Sequence, residues 1–143
     1  MDAQQKVDDI IAEFSELEPY ERLELLSEYS RRPLPQLPER LKIERDAGQH
    51  RITECQSSMF IWVELQSGKV QIFAEADPQA PSPKAFVSLL INAFNGQPPE
   101  AILATPPDLL SRLGLLESLG MIRMRGLAAI QHYIRQQVSK AAA

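Results

Sequence analysis

Two short strand-like runs joined by Ser67-Gly68 constrain the fold of this chain more than any other feature. Residues 59–65, MFIWVEL, are rich in types that favour β-strands, and residues 70–75 largely alternate between apolar and polar side chains. A Ser-Gly pair between such runs predicts a tight turn, so the two runs should form an antiparallel hairpin. Residues 51–53 can add a short strand beside it. The sequence therefore predicts a small antiparallel sheet of about three strands.

Helical patterns flank the hairpin on both sides. Residues 3–17 carry apolar side chains three and four positions apart, which places one apolar stripe along a helix. Pro19 suits the first position of a second helix, and Ser82 followed by Pro83 suits the start of a third. Residues 127–139 repeat the apolar stripe in a final helix. We therefore expect an α+β fold in which N- and C-terminal helices pack against the small sheet.

The size of the chain predicts one domain over residues 1–143. A chain of 143 residues that is 44% hydrophobic can bury a substantial core but has little room for a second one. The segment 31–40, RRPLPQLPER, contains three prolines that fix φ and remove hydrogen-bond donors. It should run extended as a stiff connector, and a PxxP-type ligand is the other reading of its pattern.

Charge and cysteine content exclude several classes of protein. The net charge is −4 and no Lys/Arg cluster is present, whereas a nucleic-acid surface needs a basic stripe to neutralise phosphates. A single cysteine cannot form an internal disulfide, and the CxxC pairs of structural zinc sites are missing, so no metal site is expected. The N-terminus lacks the pattern of a secretory signal, and no apolar run is long enough to span a bilayer. We expect no nucleic-acid partner, no membrane contact and a cytoplasmic location.

Cys55, the only cysteine, is the candidate reactive residue. A lone cysteine is often a small buried hydrophobe without chemistry, and that structural role competes with the reactive one. Its neighbours Glu54, Gln56, Ser57 and Ser58 are polar, whereas a core cysteine more often lies among apolar residues. The change from a polar segment to the strand-like run predicts a loop at the edge of the sheet that presents the thiol outward.

Three ordered motifs resemble the SufE family of sulfur-acceptor proteins. They are ITECQSSMFI at residues 52–61, Leu-Gly-Leu at 113–115 and RMRGL at 123–127. The family's thiol motif is similar to V-x-G-C-Q-S-x-V-W-[IL], and a later R-x-x-G-L opens its last helix. This chain departs from the pattern at three positions. Glu54 stands in place of the glycine, Phe60 in place of the tryptophan and Ile122 in place of the usual Ser or Thr.

The resemblance implies a SufE/IscU-like fold and a role in sulfur transfer. A SufS-like cysteine desulfurase would hold sulfur as a persulfide, and the thiolate of Cys55 would accept it for iron–sulfur cluster assembly. Iron–sulfur scaffold proteins would be further partners downstream. The resemblance implies no cofactor on this chain, because pyridoxal phosphate belongs to the desulfurase. On this reading the protein is a sulfur carrier and desulfurase activator more than a free-standing enzyme.

A cation near the thiol would favour the thiolate, and three residues are candidates. Arg123 matches the family's arginine and would hold the cysteine loop or contact the desulfurase, although a solvated charge at a helix start explains it equally well. Arg51 and His50 are the other two, and His50 has the simpler reading of an exposed loop histidine.

Further residues receive supporting roles. Gln56 and Ser57 would hydrogen-bond the loop or stabilise sulfur, unless they only form the turn. Asp77 would cap or brace the loop, or be a simple turn residue. Three apolar residues after the cysteine would shield a persulfide or only fill the core: Met59, Phe60 and Trp62.

Two other classes of function stay open. The first is a regulatory or interaction module that kept the fold and lost the transfer chemistry, which Glu54 favours because a carboxylate beside a thiolate disfavours ionisation. The second is an enzyme with a cysteine nucleophile, which needs a histidine base near Cys55. Only His50 and His132 are present, so the sequence supports this class poorly.

Overall fold

The computed structural model of the protein describes residues 1–55 and 57–143. Gln56, predicted to support the thiol, lies outside the described residues. Helices precede and follow one hairpin, which confirms the predicted α+β class. In chain order the elements are α1 (Ala3–Ser15), α2 (Pro19–Ser30), α3 (Glu39–Asp46), β1 (Met59–Gln66), β2 (Lys69–Ala76), α4 (Pro81–Phe94), α5 (Pro99–Leu103), α6 (Leu109–Arg112) and α7 (Leu116–Ala142).

The hairpin forms where the sequence predicts it. Strands β1 and β2 pair antiparallel from Met59 opposite Ala76 to Gln66 opposite Lys69. The two turn residues both have positive φ, 54° at Ser67 and 78° at Gly68. Two consecutive residues in this conformation match the twist of the strands they join, which explains why such a short connection suffices.

The prediction of about three strands is wrong, because the sheet of the described residues has two. Residues 51–53 contribute only an isolated bridge between Arg51 and Phe60. His50, just before the bridge, has φ of 62°, which breaks the extended backbone on that side. On the other side the Cys55 N–H donates to the Ile52 carbonyl at 3.3 Å, which turns the chain away from β1. The pairing therefore cannot extend into a strand.

The two N-terminal helices lie where the sequence predicts them, although Tyr20 and Leu23, expected on the inner side of α2, are exposed. Val7, Ile10 and Phe14 of α1 are buried, and the helix begins at a capping box in which Asp2 and Gln5 exchange side-chain hydrogen bonds. Helix α2 begins at Pro19, as predicted.

Helix α4 is central to the core and begins earlier than the sequence predicts. Eight of its 14 residues are buried. Ser82 is not the N-cap, because Ala80 takes that position and Pro81 is the first helical residue. The Ala80 N–H donates to the Asp77 carbonyl at 3.0 Å, so the preceding turn leads directly into the helix. Prolines in the first turn cost little, since the first N–H groups of a helix have no partner within it.

The last helix is longer than predicted and changes direction near its start. Helix α7 begins at Leu116 instead of Leu127 and contains one non-helical residue, Gly120, with φ of 81° and ψ of 166°. The part between Gly120 and Gly126 exposes Met121, Ile122 and other side chains to solvent. It therefore shows no apolar stripe that would mark it as a helix.

Helix α3 and the proline-containing connector cover the outer face of the hairpin. Trp62 and Phe73 pack there with Leu37 and Leu41 in a cluster separate from the main core. Arg40 of α3 forms an ion pair with Glu64 of β1 at 2.5 Å. A second ion pair, between Arg45 and Glu75, joins α3 to β2 at 2.7 Å. The hairpin is thus enclosed between the main core and α3.

Candidate functional site

The cysteine loop, which we define as residues 53–55, 57 and 58, connects the Arg51 bridge to strand β1. Its far end is fixed by the Asp77 N–H, which donates to the Ser58 carbonyl at 3.0 Å. The Asp77 carboxylate accepts the Gln79 N–H at 2.9 Å and so stabilises the turn that leads into α4. Asp77 therefore contacts the loop through its backbone and shapes the neighbouring turn through its side chain.

Cys55 lies in the predicted loop, but its side chain points inward. The residue is 6% exposed, so the expectation of an outward-facing thiol is wrong for this conformation. The Sγ atom lies 3.6 Å from the Ser57 Oγ, close enough for a weak hydrogen bond. Gly126 of α7 packs against the thiol, since a Cβ placed there would lie in ordinary van der Waals contact, 3.9 Å from both the Cα and the Sγ of Cys55.

The buried thiol borders a cavity of about 300 Å³, which we call the thiol cavity. Glu54, Cys55 and Ser57 line one side, residues 79–83 before and within the first turn of α4 line another, and α7 closes it with residues that include Arg123. Glu54 and Arg123 are exposed, so the cavity reaches the surface while its inner wall carries the sulfur.

Arg123 is the predicted cation that the fold brings to the thiol cavity. It lies three residues before Gly126 on α7, and this spacing places both on one helix face. Within residues 1–55 and 57–143, no carboxylate forms an ion pair with its guanidinium. Its positive charge is therefore available to an anion in the cavity.

The other two predicted cations lie elsewhere. The Nδ1 atom of His50 is 3.1 Å from the Tyr133 hydroxyl, its Nε2 is 3.1 Å from the Glu44 carboxylate, and its ring lies 5.8 Å from that of Trp62. Burial raises the pKa of Tyr133. Arg51 borders a second groove of about 490 Å³, which shares Glu54 with the thiol cavity. Neither His50 nor Arg51 lines the thiol cavity.

None of the three apolar residues after the cysteine lines the thiol cavity. Met59 is buried in the main core, and Phe60 and Trp62 stack at 6.2 Å on the α3 side of the hairpin. Sequence reasoning assigned no role at the thiol to Gly126 or to the segment that begins α4. The R-x-x-G spacing of Arg123 and Gly126 was an available indication, because residues three apart share a helix face.

Two further observations concern metals and membranes. Across the described ranges, no three His, Cys, Asp or Glu side chains lie close enough together to hold a metal ion. No helix in those ranges combines the length and the apolar character that crossing a membrane requires.

A family model and two curated relatives match most of this chain. Residues 8–138 match the family model SufE, described as an Fe-S metabolism associated domain. A SufE-like protein of Mycobacterium tuberculosis is 30% identical over 134 residues, which cover 93% of this chain and 91% of that protein. The cysteine desulfuration protein SufE of Plasmodium vivax is 31% identical over 106 residues, covering 73% of this chain and 40% of the other.

A solved structure shares the fold. The solution structure of a hypothetical protein from Thermus thermophilus superposes with a TM-score of 0.76 at 30% sequence identity. The superposition covers 99% of this chain and 98% of that one. The overall fold thus follows an architecture already known from experiment.

Proposed function

The chain belongs to the SufE family, a domain associated with Fe-S metabolism, and we propose that it is a sulfur acceptor which takes persulfide sulfur from a cysteine desulfurase onto Cys55. The desulfurase would hold the pyridoxal phosphate, and this chain would contribute the receiving thiol. It would stimulate the desulfurase by removing the outer sulfur of its persulfide, and it would pass that sulfur toward iron–sulfur cluster assembly.

The placement of Cys55 and Arg123 around one cavity is the observation that carries this proposal. Sulfur transfer requires the thiolate of Cys55, and Arg123 places a positive charge on the wall of the same cavity. The Ser57 hydroxyl, 3.6 Å from Sγ, can donate to the same anion. The name of the Plasmodium vivax relative, a cysteine desulfuration protein, supports the same chemistry.

The transfer step is a thiol–disulfide exchange. The Cys55 thiolate attacks the outer sulfur of the desulfurase persulfide, a new S–S bond forms on Cys55, and the desulfurase cysteine leaves as a thiolate. The outer sulfur carries its proton or negative charge with it, so no external oxidant or reductant is needed. The product is a persulfide on Cys55.

Docking must expose the thiol, because Cys55 is 6% exposed and a desulfurase cysteine cannot reach it in this conformation. The neighbouring residues Thr53, Glu54 and Ser58 are exposed and form the surface that a partner would meet first. A turn of the cysteine loop that moves Cys55 away from Gly126 would present the sulfur. Arg123 would then contact either the loop or the desulfurase.

Desulfurase activity measured with and without this protein tests the proposal. A pyridoxal-phosphate cysteine desulfurase, supplied with cysteine, should release alanine several times faster when the wild-type protein is added. The Cys55→Ser variant should give no stimulation while its circular dichroism spectrum remains unchanged. Equal stimulation by Cys55→Ser would instead assign the chain to the regulatory class, in which binding alone activates the desulfurase.

A further inference from the structure

The thiol cavity is larger than sulfur storage requires. Its volume of about 300 Å³ far exceeds the space of one added sulfur atom and falls at the lower end of small-molecule pockets. The buried position of Cys55 excludes a protein acceptor in this conformation, whereas a small molecule that enters the cavity meets the sulfur directly. This conformation is therefore suited to a small molecule as the sulfur acceptor.

The cavity wall carries one negative and one positive group. Glu54 and Arg123 both line it and both are exposed. The Glu54 carboxylate accepts the Thr53 hydroxyl at 3.1 Å, and neither Glu54 nor Arg123 forms an ion pair with another described residue. A ligand with one ammonium and one carboxylate group matches this pair of charges.

The start of α4 favours the carboxylate of such a ligand. Helix α4 has 14 residues, and its N-cap, Ala80, provides no side-chain hydrogen bond. Pro81 and Pro83 have no N–H, so Ser82 is the residue of the first turn that has both an N–H and a hydroxyl on the cavity lining. The partial positive charge of a helix N-terminus adds to that of Arg123.

We propose that the thiol cavity binds a free α-amino-acid thiol with the size and charge of cysteine, and that this thiol removes sulfur from persulfidated Cys55. Arg123 and Ser82 hold its carboxylate and Glu54 holds its ammonium group, which directs its thiol toward the sulfur. The inference rests on the proposed function, since it concerns the persulfide which that function creates. It gives a function to Glu54, the residue that replaces the family's glycine.

The unloading step balances without any further reagent. The thiolate of the ligand attacks the outer sulfur of the Cys55 persulfide, and an S–S bond forms on the ligand as the S–S bond on Cys55 breaks. Cys55 leaves as a thiolate, and the proton of the persulfide stays with the outer sulfur. The products are a free amino-acid persulfide and the regenerated acceptor.

The experiment starts from protein loaded with sulfur by inorganic polysulfide, so that it does not depend on a desulfurase. Loaded protein is mixed with L-cysteine, with cysteamine, which lacks the carboxylate, or with 3-mercaptopropionate, which lacks the ammonium group. Loss of the added sulfur is followed by intact mass, and rates are expressed per thiolate because the thiolate is the nucleophile. The variants are Arg123→Gln and Glu54→Gln, with Arg125→Gln as the control, since that arginine lies on the same helix but does not line the thiol cavity.

The L-cysteine rate should saturate with concentration and exceed both analogue rates about tenfold, because each analogue lacks one charge-assisted hydrogen bond to the cavity wall. Arg123→Gln should remove the advantage over cysteamine, Glu54→Gln the advantage over 3-mercaptopropionate, and Arg125→Gln neither. L-serine should compete with L-cysteine.

Equal rates for the three thiols, linear in concentration, would overturn the inference, as would failure of polysulfide to load Cys55. Unchanged selectivity in both charge variants would also overturn it. Failure of a desulfurase to load a protein that polysulfide loads would count against the proposed function alone.

Discussion

The backbone and the thiol of Cys55 pack against Gly126 of α7. A Cβ on that glycine would lie 3.9 Å from the Cα and equally far from the Sγ of Cys55. This is ordinary van der Waals contact, so the glycine leaves space for one methyl group against the cysteine. The contact joins the cysteine loop to the helix that carries Arg123.

The contact between Gly126 and Cys55 gives the first prediction. Gly126→Ala should raise the free energy of unfolding by up to about 1 kcal/mol, because alanine favours helices and the space accepts a methyl group. Gly126→Leu should displace Cys55 and speed its alkylation by iodoacetamide several-fold. Thermal unfolding and alkylation rates measure the two effects. Slower alkylation of the leucine variant would show that α7 does not hold the thiol in place.

The contact between Ser57 and the thiol gives the second prediction. Ser57→Ala should slow alkylation of Cys55 at neutral pH by about fivefold, since the variant cannot donate a hydrogen bond to the thiolate. Ser58→Ala is the matched control, because that neighbouring serine is exposed. A rate equal to that of the control would mean that the distance of 3.6 Å reflects packing only.

Gly114 gives a prediction about stability. It has φ of 67°, and an added Cβ would meet the Arg22 Nη1 atom at 2.5 Å. Arg22 also donates to the Gly114 carbonyl at 3.1 Å and to that of Phe14 at 2.9 Å. Gly114→Ala should therefore destabilise the fold by about 2–3 kcal/mol in urea unfolding.

Gly48→Ala separates the two causes at Gly114. Its φ of 78° is similar, but an added Cβ has nothing within 4 Å. It should cost only the conformational penalty of about 1 kcal/mol. Equal losses for the two variants would show that the Arg22 contact contributes nothing.

The pair between Arg40 and Glu64 gives a prediction about pH. Hydrogen bonds from the Arg40 guanidinium lower the pKa of Glu64 from its ordinary value of 4.5. A lowered pKa adds stability above the ordinary value, and this stability disappears as the pH falls through the folded-state pKa. Arg40→Gln should therefore lose less stability than wild type between neutral pH and pH well below 4.5.

Urea unfolding at the two pH values measures this loss. The difference should be small, because the pair is partly exposed and screened by solvent. Arg31→Gln is the control, since Arg31 donates to the Ser27 hydroxyl and is paired with no carboxylate in the part of the chain that the structure describes. A pH dependence identical in Arg40→Gln and wild type would refute the assignment.

The fold was largely predictable because its elements have local signals. Apolar spacing marks α1 and the later part of α7, and Ser67-Gly68 marks the hairpin. The prediction of a third strand was wrong because the positive φ of His50 interrupts the extended backbone there. The identity of a histidine does not predict this conformation. The start of α7 was not predicted because its exposed residues show no helical spacing of apolar side chains.

The site was less predictable because it is built from distant parts of the chain. The polar neighbours of Cys55 indicate exposure, and three of them, Glu54, Ser57 and Ser58, do lie wholly or partly in solvent. The thiol packs against Gly126 of α7, a contact that no local pattern around Cys55 reveals. Arg123 was found by motif resemblance and not by periodicity. Its part in sulfur transfer remains a prediction.

The most direct test of sulfur acceptance by Cys55 is the intact mass of the protein after incubation with a cysteine desulfurase and free cysteine. We expect one added sulfur atom, mapped to Cys55, removed by a thiol reductant and missing from Cys55→Ser. A protein whose mass stays unchanged while the desulfurase turns over would contradict the claim that Cys55 receives sulfur.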